Sequence, residues 1–366
     1  MNQPDFHGST MPYDLIDGAV PKGILQNASL AEQCKEIQDT TNSLNVRLEL
    51  FEDLIESEIG DTSLVRARNL EREFQIRQLY LKFEGGNPTG TQKDRIAFAQ
   101  ALDALRRGFD TLTLATCGNY GVACAMASSI AGIRCRVYIP AAYQTKRITE
   151  MTDWGADIHR VDGDYENAVA VSQEAAEKEE LYDANPGGNN LIMQLKAYGE
   201  IAYEIYDELR DSPALVAVPV SNGTTLAGVY RGFSSLYRRG KTSKTPKLIA
   251  GSSFRKNPIV DAYRHGRESC EDLVPTKIRE SPINEPLINW HSIDGDQALE
   301  AIRESGGWAS DATDRDMRQL AKLIREREGI SVLPASTAGL VALLNRHKKE
   351  ALPNDRYVIV LTGRKS

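Results

Sequence analysis

Short apolar runs and longer amphipathic segments alternate along the chain after residue 110. The strand-like runs "TLTLAT", "CRVYIP" and "ADIHRV" are each followed by a segment with helical spacing, namely "GVACAMASSIAG", "TKRITEMTDWG" and "YENAVAVSQEAAEKEE". Apolar residues that recur every three to four positions indicate a helix, whereas a short apolar run bounded by turn residues indicates a buried strand. The alternation therefore predicts βαβ units, in which helices cover both faces of a parallel sheet.

The same alternation continues through the second half of the chain. Helix-like "LKAYGEIAYEIYDEL" and "LAGVYRGFSSLYRR" alternate with strand-like "ALVAVPV" and "KLIAGSS"; after a less regular stretch at 254–296 come "DQALEAIRES", "STAGLVALLNRH" and a last strand, "RYVIVLT". Thr313, with Asp316 three residues later, predicts a capped helix start. Residues 1–55 predict an extension that ends in a helix near "LNVRLELFEDLIE". We expect two α/β units with a cleft between them.

Composition narrows the classes of function. The 366 residues are 41% hydrophobic and carry a net charge of −7, which is typical of a soluble chain long enough for two domains. No apolar run approaches a membrane span and the N-terminus lacks a signal-peptide pattern, so we expect a cytoplasmic protein without a membrane partner. The acidic balance disfavours nucleic acid as a partner. Five cysteines without a CxxC pair favour reduced thiols, and we expect no metal.

Three loops and one lysine stand out as candidates for chemistry. Loops that leave the carboxyl end of a parallel strand and open into a helix bind ligands. The loop "VPVSNGTTLAG" offers backbone N–H groups and the hydroxyls of Thr224 and Thr225 to a phosphate. "ATCGNYGVA" presents the amide of Asn119, "VIVLTGRKS" delivers the hydroxyl of Thr362, and Lys93 follows the Gly-, Pro- and Thr-rich loop of "EGGNPTGTQKDR". Each feature alone has an ordinary structural explanation, such as a turn, a cap or a solvated lysine.

Together these groups match the requirements of pyridoxal phosphate. The lysine binds the aldehyde as a Schiff base, the loop grips the phosphate, the amide meets the ring oxygen and the hydroxyl meets the ring nitrogen. A neutral hydroxyl at that nitrogen makes the ring a weaker electron sink than an aspartate would, which favours elimination or replacement over transamination. Lys93 is then the expected base for the α-proton of the substrate.

Seven motifs carry a resemblance to a known family, and they cover about residues 58 to 363: "GDTSLVRARNL", "EGGNPTGTQKDR", "CGNYG", "WGADIHRVDGDY", "NGTTLAG", "EGISVLPASTAGLVALL" and "LTG". In this order they resemble threonine synthase and its relatives of the tryptophan synthase β class, the fold type II pyridoxal-phosphate enzymes. The resemblance implies that Lys93 is the Schiff-base lysine, Asn119 the partner of the ring oxygen and Thr362 the partner of the ring nitrogen. It assigns the phosphate loop to Asn222, Gly223, Thr224, Thr225 and Leu226.

The resemblance also implies a domain organisation. The cofactor is expected in the cleft between a large domain of residues 58–99 and 201–366 and a small mobile domain of residues 100–200. Residues 1–57 form an N-terminal extension, and a homodimer is expected.

The motifs define the substrate less closely than the cofactor. Family members commonly have Phe where this chain has Gln92, and Ser-Gly-Asn in the carboxylate-gripping loop where this chain has Cys117-Gly118-Asn119. Arg147 best matches the position of a family lysine that approaches a substrate phosphate. We expect substrate contacts from Thr89, Thr91, Thr116, Cys117, Gly118, Lys146 and Arg147.

Three functions remain open on these grounds. The leading hypothesis is the threonine synthase reaction, in which O-phosphohomoserine yields threonine and phosphate. The alternative is β-replacement or β-elimination on a serine-type substrate, as in cysteine synthase, cysteate synthase or an ammonia-lyase. A non-catalytic cofactor-binding protein ranks last, because Lys93 and all of the loops are present.

Overall fold

A computed structural model describes residues 28–116, 118–143 and 147–365, and within them the chain forms thirteen α-helices and ten strands. The helices are α1 (Ala28–Gln38), α2 (Leu44–Glu58), α3 (Arg68–Phe74), α4 (Lys93–Arg106), α5 (Asn119–Ala131), α6 (Arg147–Asp153), α7 (Tyr165–Lys178), α8 (Leu191–Leu209), α9 (Thr224–Arg238), α10 (Pro258–His265), α11 (Gly295–Glu304), α12 (Asp314–Glu328) and α13 (Ala338–Lys349). The strands are β1 (Leu64–Arg66), β2 (Leu79–Phe83), β3 (Thr111–Ala115), β4 (Arg134–Pro140), β5 (Asp157–Val161), β6 (Tyr182–Asp183), β7 (Leu215–Pro219), β8 (Lys247–Ser253), β9 (Trp308–Ala312) and β10 (Tyr357–Leu361). None of these helices combines the length and apolar character needed to cross a membrane.

The first of two compact units contains, among the described residues, 28–58 and Ala101–Tyr182. Its four-stranded sheet has the order β5-β4-β3-β6, and β3, β4 and β5 are parallel, as the alternation predicts. Helix α5 is buried along most of its length. Within this unit the extension packs on α5, since Gln38 Nε2 donates to the Ser129 carbonyl at 2.8 Å and Arg47 Nη2 to the Ala131 carbonyl at 2.8 Å.

The second unit contains Ile59–Gln100 and Asp183–Lys365. Its six-stranded sheet has the order β1-β2-β10-β7-β8-β9, in which only β1 runs antiparallel to its neighbour. Apolar side chains of the central strands, such as Leu81, Ala217 and Ile359, are fully buried in one cluster with Leu340 and Leu343 of α13. The parallel α/β architecture expected from the sequence is confirmed.

The sequence pattern did not reveal every element or boundary. Helices α1, α3 and α10 and strands β1, β2, β6 and β9 were not predicted, and they are short or weakly periodic. The helix expected over "STAGLVALLNRH" begins only at Ala338, because a 3-10 turn occupies Pro334–Thr337. The two compact units divide the chain at 182/183, and the small mobile domain of residues 100–200 stays a prediction.

Candidate active site

Three neighbouring strands of the second unit bring three predicted segments to one edge of the sheet. Strand β10 pairs in parallel with β2 on one side and β7 on the other, with Leu361 opposite Phe83 and Ile359 opposite Ala217. The carboxyl ends of parallel strands meet at the same edge of a sheet. The lysine loop (residues 84–92) follows β2, Thr362 follows β10, and the loop before α9 follows β7. The topology therefore brings Lys93, Thr362 and residues 222–226 towards a common edge.

Lys93 is the first residue of α4 and is half-buried. Its backbone N–H donates to Thr91 Oγ1 at 3.2 Å, and its Nζ lies 5.9 Å from the centroid of the Tyr198 ring. The lysine loop is joined to the strand end after β10, because the Gln92 N–H donates to the Thr362 carbonyl at 3.0 Å and Thr91 forms an antiparallel bridge with Gly363. Lys93 and Thr362 are thus held by one short stretch of backbone pairing.

Thr89, predicted to contact substrate, directs its N–H and hydroxyl at Asp94. Its N–H donates to Asp94 Oδ2 at 2.7 Å, and its hydroxyl donates to Asp94 Oδ1. Burial raises the pKa of the Asp94 carboxyl to about 7, although the Thr89 hydrogen bonds and the charge of Arg364 oppose this rise. The contact folds the loop back against the first turn of α4.

Arg364 clamps the opposite side of the lysine loop. Its guanidinium donates to the carbonyls of Gly85 at 3.1 Å and Pro88 at 2.9 Å, and its backbone N–H donates to the Gly90 carbonyl at 2.9 Å. Gly90 has a φ of +88°, and a Cβ there would lie 2.7 Å from Arg364 Nε. Glycine is therefore required at this position for both conformation and space.

A buried ionic cluster holds the first turn of α4 through Arg95. Arg95 contacts Glu84 at 2.6 Å and Glu204 at 2.6 Å, and Lys82 Nζ contacts Glu204 at 2.5 Å. Burial alone would raise the pKa of Glu204, but Arg95 and Lys82 lower it to about 2. Burial would likewise lower the pKa of Arg95, yet Glu84 and Glu204 raise it. This cluster was not predicted, because its members come from four separate segments: β2, the lysine loop, α4 and α8.

The loop before α9 has the geometry of an anion site. Gly223 has a φ of +95°, and a Cβ there would lie 2.6 Å from the Cβ of Ala298. Thr224, Thr225 and Leu226 form the first turn of α9 and are buried. The first N–H groups of a helix have no partner within the helix and carry partial positive charge. This turn can therefore bind a phosphate.

Two asparagines that the sequence analysis did not single out hold this loop in place. Asn289 Nδ2 donates to Asn222 Oδ1 at 3.0 Å. Asn257 Nδ2 donates to the Ser221 carbonyl at 2.9 Å and to Asn289 Oδ1 at 3.0 Å. Because Asn257 Oδ1 also accepts from the Ile259 N–H at 3.0 Å and so caps α10, one side chain links the two helix starts.

Thr362 is supported by Ser336, which was not predicted as a site residue. Ser336 Oγ lies 3.1 Å from Thr362 Oγ1 and accepts from the Gly363 N–H at 3.0 Å. Ser336 is fully buried in the 3-10 turn Pro334–Thr337. Its hydroxyl fixes where the Thr362 hydroxyl lies, and the signal that could have revealed it is the Pro before "AST".

The remaining candidates belong to the first unit. Gly118 directly precedes α5, its N–H donates to Thr116 Oγ1 at 3.3 Å, and Asn119 is the half-buried first residue of that helix. Arg147 begins α6 and forms an ion pair with Glu150 at 2.5 Å. Cys117 and Lys146 lie outside the described residues.

Two buried polar atoms, one near Lys93 and one at the start of α9, can bind a polar ligand. The hydroxyl of Tyr198 and Oδ1 of Asp294 make no hydrogen bond to any described residue. The Tyr198 ring faces the Lys93 ammonium, and Asp294 Oδ2 contacts the hydroxyl of Thr224 at 2.5 Å. Buried polar atoms are normally paired, so unpaired ones mark a place where a partner binds. An amine beside a phosphate-binding helix start fits the aldehyde and phosphate of pyridoxal phosphate.

Comparison with protein families matches residues 55–363 to the family described as pyridoxal-phosphate dependent enzyme. The threonine synthase of Methanocaldococcus jannaschii is 30% identical over 308 residues, covering 83% of this chain and 74% of that protein. The threonine synthase of Halalkalibacterium halodurans is 28% identical over 306 residues, covering 83% of this chain and 82% of that protein.

Solved structures share the fold. The serine racemase of Dictyostelium discoideum superimposes with a TM-score of 0.71 at 18% identity, covering 89% of this chain and 99% of the racemase. The processed form of threonine deaminase isoform 2 from Solanum lycopersicum gives a TM-score of 0.69 at 16% identity, covering 90% of this chain and 92% of the deaminase. The predicted fold type II architecture is confirmed by these likenesses.

Proposed function

We propose that this chain, which belongs to the family of pyridoxal-phosphate dependent enzymes, converts O-phosphohomoserine and water into threonine and phosphate. Its cofactor is pyridoxal phosphate. The substrate assignment is supported by the similarity of the chain to threonine synthases. The observation that carries the proposal is the bridge between Thr91 and Gly363, because it joins the segment before Lys93 to the segment that carries Thr362.

Lys93 has two tasks in this proposal. Pyridoxal phosphate supplies an aldehyde carbon that takes up amines and a ring that withdraws electrons from the substrate. The Nζ of Lys93 would hold that carbon in the resting enzyme and would take the proton from the Cα of a bound substrate. Its position over the Tyr198 ring, at 5.9 Å, restricts the directions in which the amine can move.

The other proposed cofactor contacts come from the strand ends and from α5. Thr362, oriented by Ser336, meets the ring nitrogen with a neutral hydroxyl. The first turn of α9 and Asn222 hold the phosphate, and Asn119 meets the ring oxygen. A hydroxyl at the ring nitrogen does not protonate it, which favours elimination and replacement over transamination.

The overall reaction balances without an oxidant or reductant. The bond between Cγ and the phosphate oxygen breaks, and the oxygen of water bonds to Cβ. One hydrogen is lost from Cβ and one is gained at Cγ, while phosphate leaves with the remaining proton of water. Proton carriers beside the substrate are therefore required, and Lys93 is the one we assign.

A substrate panel tests the proposal. We expect the purified, cofactor-loaded protein to release phosphate and threonine from O-phosphohomoserine, and borohydride to fix the cofactor on the peptide that contains Lys93. Lys93→Ala is expected to abolish turnover and labelling, because no other amine is assigned to the aldehyde. Lys322→Ala is the matched control, since Lys322 is exposed on α12 and pairs with Glu326 at 3.6 Å. A label on another lysine would refute the assignment.

A second candidate is β-replacement or β-elimination on a serine-type substrate. It is favoured by the ion pair between Arg147 and Glu150, because a cation already paired with a carboxylate attracts a substrate phosphate less strongly. If the substrate phosphate contacts Arg147, Arg147→Ala should raise the KM for O-phosphohomoserine about tenfold or more. Arg134 forms an exposed ion pair with Asp110, so the control variant Arg134→Ala should leave this KM unchanged. Consumption of serine, O-acetylserine or O-phosphoserine without O-phosphohomoserine would select the second candidate.

We also propose that the enzyme acts as a homodimer in the cytoplasm. The family resemblance supports the dimer, and the composition supports the location. Light scattering of the protein eluted from a size-exclusion column measures its molecular mass. Cell fractionation of a tagged chain shows its location. A monomeric mass at micromolar concentration would contradict the dimer.

A further inference from the structure

Asp294 occupies the position immediately before α11 but does not cap that helix. Aspartate is among the preferred residues for this position because its carboxylate accepts from free N–H groups of the first turn. Here the side chain makes no such hydrogen bond. It turns to the start of another helix, where Oδ2 contacts the Thr224 hydroxyl of α9 at 2.5 Å. The carboxyl is thus placed at the proposed phosphate loop.

At Asp294, burial outweighs the groups that stabilise a negative charge. The residue is 2% exposed, and its Oδ1 makes no hydrogen bond to any described residue. Burial raises the pKa of the carboxyl, while the Thr224 hydroxyl, the Lys93 ammonium and the nearby Gly187 N–H oppose the rise. Three other titratable residues lie in these segments. Asp183 lies beside Gly188, the chain neighbour of Gly187, and Cys270 lies beside Gly295 and donates its N–H to Asp296 Oδ1.

The contact between Thr224 and Asp294 has a consequence when a phosphate binds. A phosphate dianion only accepts hydrogen bonds, and a threonine hydroxyl has a single hydrogen to donate. If Thr224 turns that hydrogen to the phosphate, its oxygen can stay in contact with Asp294 Oδ2 only when the carboxyl carries a proton. An ionised Asp294 would leave two acceptor oxygens facing each other and would repel the phosphate.

We propose that Asp294 is protonated in the cofactor-bound enzyme and donates its proton to the Thr224 hydroxyl, which in turn donates to the cofactor phosphate. The inference rests on the proposed role of the α9 loop. The proton uptake at Asp294 itself changes no bond to carbon or phosphorus, and the proton comes from solvent. Binding of pyridoxal phosphate is therefore coupled to proton uptake at Asp294, and Asp294 acts as a positioning residue for Thr224.

Asparagine separates this role from a purely structural one. Asp294→Asn keeps the shape and can donate to Thr224 through its NH₂ group, but it cannot take up a proton. We expect the variant to bind pyridoxal phosphate within about threefold of the wild type at pH 6, and to lose less affinity as pH rises. Asp294→Ala should bind the cofactor roughly tenfold more weakly, because Thr224 loses its donor.

Isothermal titration calorimetry of the cofactor-free protein in two buffers of different ionisation enthalpy counts the protons. At pH 8 we expect the wild type to take up more protons per cofactor than Asp294→Asn, by a difference approaching one, and we expect that difference to vanish with pyridoxal, which lacks the phosphate. Equal proton counts, or a difference that persists with pyridoxal, would overturn the inference while cofactor binding and labelling of Lys93 stand. A wild-type protein that binds no pyridoxal phosphate would overturn the proposed function and this inference with it.

Discussion

Replacing Glu204 by glutamine should reveal how strongly the buried ionic cluster supports the lysine-bearing helix. Glu204 receives both Arg95 of α4 and Lys82 of β2, at 2.6 and 2.5 Å. Glutamine preserves the shape but removes the charge, so the two cations are left with Glu84 as their remaining anion in the cluster. Breaking a buried pair by removing one partner costs much more than removing an exposed pair.

The pKa of Glu204 gives the magnitude. It falls from 4.5 to about 2 in the folded protein, because Arg95 and Lys82 outweigh burial. The side chain is 17% exposed, so solvent screens these contacts little. A fall in pKa of this size corresponds to about 3 kcal/mol. Because the folded pKa is depressed, this stability is fully present above pH 4.5 and is lost as the pH falls towards 2, with about 2 kcal/mol gone by pH 3.

Urea unfolding at several pH values measures the effect. Trp154→Phe removes the tryptophan of the first unit, so that Trp290 and Trp308 report on the unit that contains the cluster. We expect Glu204→Gln to lower the free energy of unfolding by about 3 kcal/mol at pH 7, and the gap to narrow on acidification. Glu208→Gln, at an exposed position on the same helix, is the control and should change stability by less than about 0.5 kcal/mol. A loss of stability in Glu204→Gln that is independent of pH, or no loss at all, would refute the electrostatic explanation.

Two further predictions concern a hydroxyl and the thiols. Ser336→Ala removes the partner of the Thr362 hydroxyl and leaves the Gly363 N–H buried without its acceptor. It should therefore lower kcat about tenfold and the free energy of unfolding by about 1–3 kcal/mol. Steady-state kinetics measure the first effect, and equal kcat values for Ser336→Ala and the exposed control Ser331→Ala would contradict the prediction. Burial raises the pKa of Cys34 to about 11 and that of Cys135 to about 12. Both should resist iodoacetamide at pH 8 in the folded protein and react in urea, whereas native labelling at the unfolded rate, measured by mass spectrometry, would contradict their burial.

Regular segments were predictable because a single physical signal defines them. The segments from Thr111 to Val161 alternate between short strand-like runs and longer helical ones, and the structure has β3, α5, β4, α6 and β5 in that order. The predicted cap of α12 is also confirmed, since Thr313 Oγ1 accepts from the Asp316 N–H at 3.1 Å. Local sequence decides these features, so no knowledge of distant contacts is needed.

Features that depend on distant segments escaped prediction. Strand β2 reads as "LYLKF", and its Lys82 interrupts the apolar run. That lysine is 1% exposed because its ammonium pairs with Glu204 of α8 and donates to the Thr62 carbonyl. Asn257 and Asn289 occur in the stretch at 254–296 that shows no clear periodicity, and their role depends on a loop near residue 222. No spacing rule within a short window can connect residues so far apart in sequence.

The three consecutive residues Lys93, Asp94 and Arg95 show why the loop and helix must be considered together. Successive side chains of a helix diverge by about 100°, so neighbours in sequence face different surroundings. Asp94 turns back to Thr89 and fixes the loop, Arg95 enters the cluster with Glu84 and Glu204, and Lys93 is left to face the Tyr198 ring. The direction of the lysine is therefore set by its two neighbours, whose contacts orient the first turn of α4. A substitution at either neighbour should act on the lysine through the backbone, without any contact with substrate.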